Sequence, residues 1–214
     1  SAIAQVAQMI GPQQAAALGR QMAPNNTALG ISFALAGDKT TNGRYASELV
    51  LRGDQAIKDK GVAKDDKAVT GVRALVAAEI GDAYQNQEVR QAMIEAATLA
   101  EYGLQSEGPG DLRRAVRLIT GGITERNGRK IPLPRGMEPS EFDKRLKTLT
   151  VDSLRTAVPG GKVYVSGTAM PTEEFLKQIP DAGLIHAGQG RYAVQTGAGL
   201  ATNDAGAPLI FEVK

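Results

Sequence analysis

The stretch GGITERNGRKIPLPRG, residues 121–136, marks the point at which the sequence changes its hydrophobic period. Asn127-Gly128 at its centre is the strongest two-residue hairpin signal, because both central positions of a type I′ turn need a positive φ. Pro132 and Pro134 cannot donate ladder hydrogen bonds, so the second arm should be short or lie at a sheet edge. An isolated hairpin is marginally stable in water. We therefore expect a ribbon that packs on the sheet of its own domain or is offered to a neighbouring subunit.

Upstream of this hairpin, apolar residues recur every three or four positions, which predicts helices. Asp111 is in place to cap the last of them. Small residues along these faces favour close packing of one helix on another. The helical segments are 2–10, 13–22, 27–37, 42–61, 67–84, 88–105 and 112–120.

Downstream of the hairpin, short alternating segments predict strands at 162–167, 182–188, 191–197 and 208–213, with helices at 140–149, 150–157 and 171–179. We predict that RYAVQTG and PLIFEVK pair antiparallel, as a hairpin closed by a turn around Asp204 and Gly206. Tyr192, Val194 and Phe211 should then face the last helix. Helices that precede strands indicate an α+β fold. It comprises a helical region, 1–120, and a small α+β region, 121–214, either separate or in one continuous domain.

Composition narrows the classes of function. Hydrophobic residues make up 42% of the 214, as in ordinary globular proteins. The net charge is only +2 and the basic residues are dispersed, which argues against a nucleic-acid surface. No apolar run is long enough for a transmembrane helix. The start, Ser-Ala followed by an Ala- and Gln-rich segment, lacks the charged region of a secretion signal, and we expect a fragment of a longer protein.

Residues able to carry catalysis are sparse. His186 is the only histidine and there is no cysteine, so neither a zinc site nor a Ser/His or Cys/His centre is expected. Glycosidases need two carboxylates across a cleft. The acidic pairs Glu95 with Glu101 and Glu173 with Glu174 are more typical of solvated helix faces. We predict no catalytic, cofactor-binding or metal-binding residue, and interpret His186 as a strand residue.

Two short motifs have structural interpretations. Arg52-Gly53-Asp54 is an adhesion signal when a loop displays it, but here it lies within a helical pattern. Asn25-Asn26-Thr27 fits a glycosylation sequon. Without a secretion signal, we interpret the sequon as turn chemistry.

Three stretches of the sequence carry distinctive signatures. The first is a helix that ends in a signature beginning with Leu-Arg-Gly, and the second joins the Gly-Gly hairpin to a Gly-Met and a following Phe. The third is a Gly-rich ending with Arg-Tyr and a Pro before the last strand. The stretches are RYASELVLRGDQAIKDKG (44–61), LITGGITERNGRKIPLPRGMEPSEFDKRLKTLT (118–150) and GQGRYAVQTGAGLATNDAGAPLIFEVK (188–214). Together they resemble the C-terminal region of large phage and prophage virion-associated proteins.

The resemblance implies a structural and interaction domain within a virion, whose partners are other virion subunits. In that family such regions can share a chain with a lytic transglycosylase or a tape-measure-like part. The transglycosylase signature, Glu-Ser-x-Phe followed by Gly-Leu-Met-Gln, is not met. Ser47-Glu48 has the reverse order, and no Gly-Leu-Met-Gln follows Glu79. Any such activity should lie outside these residues. The alternatives are a peptidoglycan hydrolase or a cell-wall-binding module, and we expect a monomer or weak oligomer in solution.

Overall fold

The computed structural model describes residues 17–19, 21, 27–37, 41–61, 66–188, 190–197 and 199–214. The chain divides into two compact units. The first comprises 1–81 and 86–120, and the second comprises 82–85 and 121–214. The predicted helix at 2–10 and the sequon residues Asn25 and Asn26 lie outside the described residues. Helices in the first unit, followed by small antiparallel sheets in the second, confirm the predicted α+β class.

The described part of the first unit contains five helices, three of which begin with a side-chain cap. Asp66 caps α3 by accepting from the Ala68 N–H at 2.8 Å, and Asn86 caps α4 by accepting from Glu88. Asp111 accepts from the N–H of Arg114 at 2.9 Å, which confirms its predicted place before α5. The helices are α1 (Thr27–Gly37), α2 (Thr41–Asp59), α3 (Lys67–Ile80), α4 (Gln87–Glu107) and α5 (Leu112–Thr120).

Helices α2 and α4 cross with their backbones in contact. A Cβ added at Gly53 would overlap the carbonyl oxygen of Leu99 and lie 2.6 Å from its carbonyl carbon. Across the same crossing, a Cβ at Gly103 would overlap the carbonyl oxygen of Leu49. The predicted close packing through small residues is thus confirmed, and each helix contributes one glycine to it.

The second unit contains short strands and helices around one apolar core. The strands are β1 (Ile123–Arg126), β2 (Arg129–Pro132), β3 (Lys162–Val165), β4 (Thr168–Pro171), β5 (Gly183–Gly188), β6 (Arg191–Thr196), β7 (Gly199–Leu200) and β8 (Ile210–Glu212). The helices are α6 (Pro139–Lys147), α7 (Val151–Leu154) and α8 (Thr172–Leu176), followed by a 3₁₀ turn at Ile179–Asp181.

The opening hairpin, β1 and β2, turns through Asn127 and Gly128 with φ of 50° and 73°, as a type I′ turn requires. It is held by its own unit. The Tyr192 hydroxyl donates to the carbonyl of Pro132 at 2.7 Å, and Arg126 donates to the Asp143 carboxylate and to a carbonyl of the 3₁₀ turn. Of the two predicted roles, packing on its own domain is therefore the one observed.

Strand β6 lies at the centre of the main sheet, with β5 on one side and both β7 and β8 on the other. Strands β6 and β8 pair antiparallel as predicted, but they do not form a simple hairpin. Strand β7 pairs with β6 first, and the turn from Asn203 to Gly206 closes a smaller loop at the Thr202–Pro208 bridge. The sequence interpretation missed this because β7 is only two residues long.

The predicted buried face of this sheet is confirmed. Tyr192, Val194 and Phe211 are at most 3% exposed and belong to one core cluster that includes Phe175 of α8. Tyr192 stands directly opposite Phe211 in the register, so the two rings share a face.

One missed strand and the lengths of two helices need correction. Strand β4 was not predicted, because residues 168–170 lack alternating apolar residues. It pairs with β3 through a turn in which Ser166 and Gly167 take φ of 51° and 82°. The helices predicted at 150–157 and 171–179 are shorter, at Val151–Leu154 and Thr172–Leu176.

Candidate functional site

A groove of about 790 Å³ opens in the second unit between β8 and the corner that joins α6 to α7. This volume lies within the range of clefts that bind ligands. One wall is the chain from Pro208 to Lys214, and the other is formed by the end of α6 and by α7. The groove is therefore bounded by a strand edge and a helical corner.

The β8 wall presents its outer backbone edge. In the antiparallel register, Phe211 stands opposite Tyr192, and the Val213 N–H donates to the Gly190 carbonyl at 3.0 Å. Hydrogen-bonded and non-hydrogen-bonded pairs alternate along such a ladder. The N–H and C=O groups of Ile210 and Glu212 consequently point away from β6. Among the described residues, no strand pairs with that edge.

The opposite wall is held rigid by a capping box. Thr150 accepts from the Ser153 N–H at 3.3 Å, and the Thr150 N–H donates to the Ser153 hydroxyl at 3.2 Å. This reciprocal pair fixes the start of α7. Leu154 is fully buried in the core, so α7 cannot move away from the sheet without exposing it.

Charges in the groove are mostly paired, with one exception. Arg145 pairs with Glu141 at 2.6 Å, and Glu212 pairs with Lys214 at 3.2 Å. Asp152 pairs with Arg155. Arg191 donates only to the Gly188 carbonyl, at 3.3 Å, and forms no ion pair with a carboxylate of the described residues. The groove lining therefore holds one more cation than carboxylates. Arg191 stands opposite Glu212 in the strand register, but that carboxylate is paired with Lys214.

The carboxylates of the groove are poorly suited to hydrolysis. A glycosidase acid lies in an apolar pocket, where burial favours its protonated form. The Asp152 side chain is 74% exposed and the Glu212 side chain 48%, and each is ion-paired.

The acidic pairs singled out in the sequence do not converge on this groove. Glu173 and Glu174 lie exposed in the first turn of α8. Glu95 and Glu101 lie on α4 in the other unit, where Glu101 is buried and accepts from Gln105 at 2.9 Å. The prediction that Glu101 belongs to a solvated face is wrong, because its helix is enclosed on that side.

His186 lies in β5, as interpreted, and is held edge-on between two tyrosine rings. Its ring centroid is 5.6 Å from that of Tyr84 and 5.7 Å from that of Tyr192. Burial, reinforced by the positive charge of Arg191, lowers the pKa of His186 to about 4. Burial also raises the pKa of both tyrosines, so all three rings are neutral near pH 7. The cluster is a packing element rather than an acid–base pair.

This cluster predicts a pH dependence of stability. The folded-state pKa of His186 is about 4 and its ordinary value is 6.5, so the unfolded chain binds the proton first. The stabilisation is complete above pH 6.5 and is lost as the pH falls from 6.5 to 4. We expect a loss of about 2 kcal/mol in the free energy of unfolding, after allowing for partial solvent access.

Urea unfolding of the wild type and of His186→Phe, measured from pH 7 to pH 4, checks this expectation. The variant keeps a ring but cannot be protonated, and titrating carboxylates affect both proteins alike. The difference between the two stabilities should therefore change over this range. Parallel pH profiles would show that His186 does not titrate differently on folding.

The Arg52-Gly53-Asp54 tripeptide lies in the middle of α2, in agreement with its structural interpretation. Arg52 pairs with Glu107, and Asp54 pairs with Lys58 at 2.6 Å. Gly53 is covered by α4. A partner could contact the three residues together only by displacing α4.

Within the described part of the chain, no group of three potential ligands is arranged to hold a metal ion. No helix there is both long and apolar enough to cross a bilayer.

The groove was missed in the sequence because its walls come from distant segments. Its one local signal is Ile210, an apolar residue at an outward position of β8 that is 40% exposed.

Comparison of the chain with known protein families, curated proteins and solved structures finds no match in any of the three.

Proposed function

We propose that this chain is a structural and interaction domain of a phage or prophage virion protein, and that it binds other virion subunits without catalysing a reaction. We further propose that the domain is located within the virion. Two lines of support, one from the groove and one from the sequence, carry it.

The observation that carries the interaction role is the groove beside β8. Its strand edge offers backbone groups to a partner, and its apolar residues include Leu149 and Ile210. Its carboxylates are exposed and ion-paired, which is unfavourable for acid catalysis. These features suit recognition of a polypeptide better than hydrolysis of a glycan.

The virion assignment is supported by the resemblance of 44–61, 118–150 and 188–214 to virion-associated proteins. The second and third of these stretches supply elements of the unit that holds the groove. They include the hairpin, α6, β6 and β8.

Mass spectrometry of purified particles tests the virion assignment. Particles produced from the genome that encodes this chain, banded in a density gradient, should contain peptides from residues 44–214. Their absence from intact particles, with the known capsid peptides recovered, would overturn the assignment.

Incubation with purified peptidoglycan tests the non-catalytic part. We expect no soluble fragments to be released, with lysozyme as the positive control for the substrate. Turnover by the chain would replace the interaction role with the hydrolase alternative.

A further inference from the structure

We propose that the outer edge of β8 binds an extended, acidic peptide segment of a partner virion subunit as an added strand. This inference rests on the proposed function, since it names the chemistry of the partner that the domain would bind. The occupant is a polypeptide in β conformation that carries carboxylates and at least one apolar side chain.

The backbone of β8 selects for an extended polypeptide. The N–H and C=O groups of Ile210 and Glu212 project into the groove at the spacing of alternate strand residues. That spacing is about 6.6–6.8 Å, and it matches the repeat of another β-strand. Strand addition of this kind obtains its affinity from main-chain hydrogen bonds and its specificity from alternate side chains.

The length of the edge limits what can be added. Pro208 cannot donate at one end, and the charged Lys214 lies at the other. Such residues at a sheet edge discourage unlimited pairing between molecules. The site therefore fits a short segment, with Ile210 in contact with an apolar side chain of the added strand.

Charge decides the character of the segment. Arg145, Arg191 and Lys214 line the groove against Asp152 and Glu212. Both acids and two of the cations already have ion-pair partners, so Arg191 forms no ion pair, although Glu212 stands opposite it in the register. An acidic side chain on the added strand would pair with it. A second copy of the chain would bring the same excess cation to the interface, which disfavours self-pairing.

Nuclear magnetic resonance titration of the full chain tests the proposal. The probe is a six-residue peptide in which a valine and a glutamate stand two residues apart, with threonine at the other positions, added to roughly millimolar concentration. Both side chains then lie on the face of the sheet that Ile210 and Arg191 share. We expect shifts in the amide resonances of residues 210–214 and slower hydrogen exchange at the N–H groups of Ile210 and Glu212. No shift, or shifts confined to other parts of the chain, would overturn the proposal.

Two altered peptides separate the two parts of the recognition. A fully N-methylated version keeps its side chains but cannot donate backbone hydrogen bonds, and it should not bind measurably. A version with lysine in place of glutamate should bind about tenfold more weakly, because its positive charge is repelled by Arg191. Equal binding by either altered peptide would contradict strand addition or charge selection, respectively.

A matched pair of charge variants places the site. Arg191→Gln should weaken binding of the acidic peptide about fivefold, whereas Lys177→Gln, on an exposed residue outside the groove, should leave it unchanged. Equal effects of the two variants on peptide binding would show that the attraction is not centred on Arg191, and would overturn the assignment of charge selection to the groove.

Sedimentation of the chain without peptide provides the last control. A stable dimer that is dispersed by the peptide would make a second copy the occupant, and would overturn the assignment to a partner segment. These binding experiments are independent of the mass spectrometry of particles. If the chain is found in virions but does not bind the peptide, only this inference is refuted.

Discussion

Replacing Gly53 with alanine is expected to destabilise the helical unit by about 3 kcal/mol. The added methyl group would overlap the carbonyl oxygen of Leu99 and lie 2.6 Å from its carbonyl carbon. Both obstacles are backbone atoms of a helix, so no side-chain rotation can relieve the overlap. Helices α2 and α4 must separate, which breaks contacts along the whole crossing. Overpacking of this kind typically costs about 1–3 kcal/mol, and a backbone clash lies at the upper end.

The opposing effect on helix propensity is smaller. Alanine is favoured over glycine in a helix by about 1 kcal/mol. Gly71, in α3, isolates that effect because a Cβ there would have nothing within 4 Å. Gly71→Ala should therefore stabilise the same unit by up to about 1 kcal/mol. Two identical substitutions in neighbouring helices should thus have opposite signs.

Chemical unfolding followed by far-ultraviolet circular dichroism measures both variants, since the signal is dominated by helix. Gly103→Ala provides a third measurement at the same crossing, where the obstacle is the backbone of Leu49. It should be destabilising as well. A Gly53→Ala protein as stable as the wild type would show that α2 and α4 do not approach as closely as described.

Much of the fold was predictable because local signals agree with the tertiary structure. The α2 and α4 patterns, the cap at Asp111 and the Asn127-Gly128 turn each depend on residues close in sequence. Where such signals exist, the predicted elements match those observed within a few residues.

Pairings between segments that are distant in the sequence were harder to predict. Strand β7 follows β6 in the sequence, precedes the turn at Asn203, and pairs with β6 itself. The segments 191–197 and 208–214 therefore pair without forming the simple hairpin that was expected. Nothing in a two-residue strand has a period that could be detected. Strand β4 was missed for a different reason: it follows β3 directly through the Ser166–Gly167 turn, but its residues lack alternating apolar side chains.

The candidate groove was not predictable from residue types. Arg145, Arg191 and Glu212 are ordinary surface charges when read along the chain. Their common location results from the register of β6 with β8 and from the corner between α6 and α7. A binding edge consists of backbone N–H and C=O groups that no neighbouring strand pairs with. Because nearly every residue carries both groups, residue types do not mark such an edge.

Burial of Phe211 was predictable, because residues 209–213 alternate between the core and the groove. The ring is 3% exposed, faces Tyr192 across the strand pair with centroids 6.3 Å apart, and belongs to the core of the second unit. Removing it leaves a cavity that the paired strands cannot close without breaking their register.

Phe211→Ala is therefore expected to lower the free energy of unfolding of the second unit by about 3–5 kcal/mol. Ile210→Ala is the matched control: Ile210 is the preceding residue, 40% exposed, and its loss should cost no more than about 0.5 kcal/mol. Amide hydrogen exchange over 183–213, read peptide by peptide, isolates this unit from the helices. Exchange should accelerate throughout the sheet in Phe211→Ala and remain near wild type in Ile210→Ala. Equal protection in both variants would place Phe211 outside the core, and its ring would then be available to a partner on the inner side of β8.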